Sequence, residues 1–159
     1  MELSRGYRRL VKAVIIIDSG LNPASDIGNP DDIGGAVLGG MIDVLAGPKG
    51  KNELKKMYAG FFNEKSDRIM AENVASDAIR TPMPVVIEEL RDLAISSEAI
   101  AANIRQPVLW LTVGAIDEAY IRSHLKNVQF CRTVGSGHFP HMEVPAQTNA
   151  MIETFIAQL

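Results

Sequence analysis

The 159-residue sequence predicts an α/β fold of about three parallel strands flanked by helices, with a long helical insertion after the first strand. Two observations carry that expectation. V-I-I-I at Val14 to Ile17 and V-L-W-L at Val108 to Leu111 are unbroken apolar runs. They lack the in–out alternation of a half-solvated sheet, so they suit strands covered on both faces. Between them, residues 21–100 carry repeated helical faces and no convincing strand.

Taken in order, Glu2 to Leu10 suits one end of a helix, and V-K-A-V-I-I-I-D-S-G at 11–20 suits the first strand. The turn-rich L-N-P-A-S-D-I-G-N-P-D-D follows. Asp31 or Asp32 then serves as the N-terminal signal of a helix through Leu45. Gly34, Gly35, Gly39 and Gly40 weaken that helix but fit close packing against a neighbouring helix. No phosphate-loop or dinucleotide pattern surrounds them. Asn52 to Phe62 places Leu54, Met57, Tyr58 and Phe61 on one face, and Ser66 to Ile79 does so with Ile69, Met70, Val74 and Ile79. After T-P-M-P the chain resumes as a helix over Val85 to Leu93. Methionine adapts to irregular surfaces, so this Met-containing region suits either ordinary packing or an apolar ligand pocket.

The strand pattern returns at Pro107 to Gly114 and again, partly alternating, at Val128 to Val134. A short helix separates them. Ala146 to Leu159 predicts an amphipathic helix with Met151, Ile152, Phe155 and Ile156 facing inward. Strand, helical insertion, strand, short helix, strand, helix is an α/β order with parallel strands.

Composition narrows the function classes. Sixteen basic against 19 acidic residues leave a net charge of −3. The only basic group, Arg8, Arg9 and Lys12, is too short for a nucleic-acid surface. No apolar run reaches a membrane span, and the opening residues lack the apolar core of a signal peptide. A soluble, cytoplasmic protein is the expectation. The single cysteine, Cys131, leaves no internal disulfide and no cysteine-based zinc cluster. His138 and His141 have only Glu143 nearby in a proline-containing loop, so neither a metal nor a cofactor is expected.

In open parallel sheets, functional groups sit just beyond the carboxyl ends of strands. The Pro107 strand is followed by Asp117, and the Val128 strand by G-S-G-H with His138. P-V-L-W-L-T-V-G-A-I-D and G-S-G-H-F-P-H-M-E-V-P resemble the α/β-hydrolase segments that carry the triad acid and the triad histidine. V-K-A-V-I-I-I-D-S is similar to the strand preceding that superfamily's cap. The resemblance divides the chain into an incomplete core, residues 1–20 and 101–159, and a helical cap over 21–100. It implies acyl transfer on a small carboxylic ester or lactone, with Asp117 orienting His138 and His138 acting as base. Asp18, which some relatives place after the strand before the cap, is the rival acid. The resemblance gives His141 to support of the loop by hydrogen bonding. His124, beyond a short helix, is expected to be exposed.

The superfamily's nucleophile lies in G-x-S-x-G at a strand-to-helix elbow, and this sequence contains no such motif. On that resemblance the elbow would lie before Met1, and the chain corresponds to the carboxyl-terminal half. Ser19, Ser136 and Cys131 are the substitute nucleophiles on offer, each poorly placed. Ser19 sits at the cap entrance, Ser136 lies two residues from His138, and Cys131 falls inside a strand. Three strands also leave an open sheet edge. The expected partners are therefore a further copy of this chain or a separate amino-terminal half. The alternative is a non-catalytic remnant that binds small apolar ligands. Substrate identity is not legible.

Overall fold

The computed structural model describes residues 10–27, 29 and 31–159. The helix end expected over Glu2 to Leu10 lies, Leu10 apart, outside these. The chain divides into two compact units. One joins the stretch ending at Leu21 to Ser97–Leu159, and the other is Asn22–Ser96.

The first unit is built on three parallel strands, β1 (Val14–Ile17), β2 (Val108–Thr112) and β3 (Val128–Arg132), in the order β1-β2-β3. Val108 stands beside both Val14 and Val128, so the three strands start level, and β1 ends one residue before the other two. The central strand is buried at all five positions, which is why its sequence runs V-L-W-L-T without polar alternation. Trp110, Ile16, Leu21, Ile104, Ile121, Leu125 and Val128 form one apolar cluster with it. Around the sheet lie α5 (Ser97–Ala101), α6 (Glu118–His124), α7 (Pro140–Glu143) and α8 (Pro145–Ile156).

Helix α8 differs from its expected inward face. Thr148 and Phe155 are the residues it buries, whereas Ile156 is 52% exposed. The buried threonine is tolerated because its hydroxyl donates to the Pro140 carbonyl at 2.9 Å.

The second unit is helical: α1 (Ile33–Ala46), α2 (Gly50–Gly60), α3 (Arg68–Ala78) and α4 (Met83–Asp92). Its core is Ile42, Leu45, Leu54, Val86 and Leu90, flanked by Met41, Met57, Tyr58 and Met83. Asp32 caps α1, as the sequence predicts. Its carboxylate accepts from Gly35 N–H at 3.0 Å and from Asp26 N–H at 2.6 Å. These backbone donors, Asp26 first, hold the Asp32 carboxyl below the ordinary aspartate value.

Two expectations need correcting here. Three of the four α1 glycines do not serve helix–helix packing. A Cβ on Gly35 would lie 1.9 Å from the Asp26 carbonyl oxygen and one on Gly34 would lie 2.5 Å from Ser25 Oγ, so both admit the preceding loop. A Cβ on Gly40 would meet open space. In α3, Ile69 points outward at 75% exposure and Ala75 is the buried residue. A small side chain lets α2 approach closely, and a strictly hydrophobic reading of the face misses that.

Candidate active site

Asp18 is the first residue after β1, and its own N–H still donates to the Leu111 carbonyl at 2.7 Å, in step with the sheet. Its φ is +43°, the left-handed region that a side chain enters at a cost of about 1 kcal/mol. Aspartate tolerates this region better than most residues. The turn throws the carboxylate sideways over the end of β2, where Oδ1 accepts the Val113 N–H at 3.0 Å.

The loop after β3 supplies the other half. Thr133 N–H donates to the Thr112 carbonyl at 3.0 Å, extending the pairing by one step. The Gln147 amide then grips Val134 from both sides. It accepts from the Val134 N–H at 3.1 Å and donates to its carbonyl at 3.0 Å. Gly135, at φ +83°, makes a reversal open to residues without a Cβ. Ser136 and Thr133 share a hydroxyl–hydroxyl bond of 2.9 Å. The Gly137 and Phe139 N–H groups both donate to Glu143 Oε1, at 2.9 and 3.3 Å. Buried Pro140 then opens α7. The histidine loop is thus tied at almost every step.

His138 stands at the crown of that loop, with its Nδ1 2.8 Å from Asp18 Oδ2. An ionised carboxylate only accepts, so Nδ1 carries the proton and the imidazole is held as that tautomer. The Asp18 side chain is 17% exposed and that of His138 41%. The pair therefore combines a sheltered acid with a ring that solvent reaches. The Phe139 ring meets the imidazole edge-on, with centroids 5.1 Å apart.

Asp117 is engaged elsewhere. After β2 the chain runs through Gly114 and Ala115 to Ile116, which packs against the core. Asp117 then caps α6, its Oδ1 accepting the Tyr120 N–H at 2.9 Å. The structure brings Asp18 to His138, and not Asp117.

Two other expectations also change. His141 is exposed and offers Phe139 a ring contact at 6.2 Å, while the backbone of the loop is held by Glu143 and Gln147. His124 is half-buried rather than exposed. Its Nδ1 lies 3.0 Å from the Tyr120 carbonyl oxygen and its Nε2 lies 3.7 Å from Glu98 Oε1. Glu143, Gln147 and Thr148 went unassigned in the sequence. Their one signal was proximity, since all follow His138 within ten residues.

The substitute nucleophiles gain little. Ser19 is exposed beyond β1, and the Ser136 hydroxyl is taken up with Thr133. Cys131 lies within β3, where burial pushes its thiol above the ordinary cysteine value and away from the reactive thiolate. Among the described residues, no three His, Cys, Asp or Glu side chains converge as a metal site. None of the described helices is long and apolar enough to cross a membrane.

No protein-family model and no curated protein sequence matches this chain. Its fold, in contrast, is shared. It is similar to a thermophilic esterase from Thermogutta terrifontis at TM-score 0.75 and 18% identity, over 98% of this chain and 59% of that one. Similarity to an enol-lactonase from Burkholderia xenovorans LB400 reaches TM-score 0.77 at 10% identity, over 98% and 60% of the two chains. A bromoperoxidase from Bacillus anthracis gives TM-score 0.74 at 10% identity, over 92% and 58%. The chain therefore has the α/β-hydrolase fold in part, spanning about three fifths of the length of the proteins it is similar to.

Proposed function

We propose that this chain supplies the acid–base half of a site that hydrolyses small carboxylic esters or lactones. The observation that supports it is the Asp18–His138 pair, with Nδ1 and Oδ2 2.8 Å apart at the carboxyl edge of a parallel sheet. With Nδ1 committed to the carboxylate, Nε2 is the nitrogen that takes a proton from a hydroxyl and returns it to the leaving group. The carboxylate stabilises the imidazolium formed in between. In this reading the nucleophilic hydroxyl and the oxyanion donors come from polypeptide outside these 159 residues or from an unusual nucleophile within them.

The test is turnover of a short-chain aryl ester by the purified chain and by His138→Ala, with light scattering on the same samples. Turnover that His138→Ala abolishes, in a self-associated sample, is the expected result. Turnover indifferent to the substitution counts against the hydrolase, and absent turnover counts against the chain working without further polypeptide. A monodisperse monomer counts against the partner.

A second reading is favoured by one observation in the helical unit. Val37, Gly40, Met41, Val44, Leu45 and Met57 line a groove of about 540 Å³ between α1 and α2. A chain without turnover that still bound a small apolar ligand there would be a binding module. Gly40→Leu would fill the groove where a Cβ meets no neighbour, so it separates binding from folding.

A further inference from the structure

The acid–base reading leaves one carboxylate of the histidine loop without a role. Glu143 ends α7, and a single oxygen of its side chain accepts the N–H groups of Gly137 and Phe139. Those residues flank His138 on either side. Asp18 restrains the ring, whereas a group holding both neighbouring residues restrains the backbone from which the ring departs. The loop needs that restraint. Gly135 and Gly137 give it little stiffness of its own, and Gln147 and Thr148 act further out, at Val134 and Pro140.

We propose that Glu143 is a positioning residue for His138, holding the backbone on both sides of it so that the imidazole meets Asp18. Hydrogen bonds to an ionised acceptor are about twice as strong as neutral ones, and here one carboxylate oxygen collects two. This inference rests on the reading of His138 as the working base, but its test needs no turnover.

The experiment uses the full chain with 15N-labelled histidine. It follows solvent exchange of the His138 Nδ1–H, assigned by its disappearance in His138→Ala. Glu143→Leu, similar in volume but without an acceptor, is expected to speed that exchange about tenfold, the effect of losing roughly one hydrogen bond. Glu143→Gln keeps an acceptor oxygen and should stay within about threefold of wild type. Thr148→Val removes a bond from the same loop without touching the peptides beside His138, and should leave the exchange unchanged. Exchange unaffected by Glu143→Leu, or accelerated equally by Thr148→Val, would overturn the proposal. So would a wild-type chain lacking the Nδ1–H resonance, since nothing would then be held in place. If Glu143→Leu does not fold, Glu143→Ala carries the test, and exchange faster than in Thr148→Val is the supporting result. An exchange effect alongside turnover indifferent to His138→Ala would sink the hydrolase reading while the positioning role stood.

Discussion

The exits of β1 and β2 lie side by side in the sheet, and each offers an aspartate. At the β1 exit, Asp18 accepts a strained backbone, takes one N–H from Val113 and turns its second oxygen to His138. At the β2 exit, four residues of loop intervene before Asp117, which begins a helix and caps it. Both carboxylates are bound by backbone N–H groups. What separates them is that Asp18 is bound across the sheet, by a neighbouring strand's exit, whereas Asp117 is bound within its own turn. A carboxylate used locally is lost to a distant partner.

The largest expected effect breaks that comparison directly. In any preparation with ester turnover, Asp18→Asn should lower kcat by about 10⁴, the scale seen when a triad acid loses its charge and the tautomer reverses. The Val113 N–H keeps the amide oxygen, so the amide nitrogen would face Nδ1 and drive the imidazole proton to Nε2. Asp117→Ala in the same assay should change kcat by less than about threefold. Reversal of these two effects would return the acid to the β2 exit.

Stability sharpens the same contrast. Gly135→Ala forces a Cβ into a left-handed conformation and should cost about 1–2 kcal/mol, read by chemical denaturation, with turnover falling as the loop shifts. Asp117→Ala removes a helix cap and should cost about 1 kcal/mol while leaving turnover in place. Equal effects of the two on turnover would mean that the loops are not functionally distinct.

The smallest effect concerns Asp32, another aspartate held by backbone N–H groups. Its folded-state carboxyl is lowered by the donors of Asp26 and Gly35, so the stability it lends is complete above the ordinary value of 3.8. That stability fades as the pH falls through the lowered folded value. In Asp32→Asn the cap persists without the charge. The stability difference from wild type, followed by denaturation at successive pH values, should therefore shrink below about pH 4. A difference that grew on acidification would contradict the assigned donors.

Much of the architecture was legible in the chain. V-I-I-I and V-L-W-L declare strands buried on both faces, and Asp32 declares a helix start. G-S-G-H-F-P-H declares a loop built around one imidazole. Inward faces were less legible. Ala75 and Thr148 are buried where Ile69 and Ile156 are not, because close approach and one buried hydroxyl bond outweighed hydrophobicity. The supports of the histidine were hidden for a similar reason. Glu143 and Gln147 are ordinary surface residue types until the loop folds back on them.

The sequence by itself determined where the chain extends, where it coils and which histidine is displayed, since burial period and turn chemistry act over a few residues. Only the tertiary structure decided which aspartate meets that histidine. Asp18 and His138 are 120 residues apart. They meet because three parallel strands in the order β1-β2-β3 end within one residue of each other and one residue adopts a positive φ, and no local pattern encodes either condition.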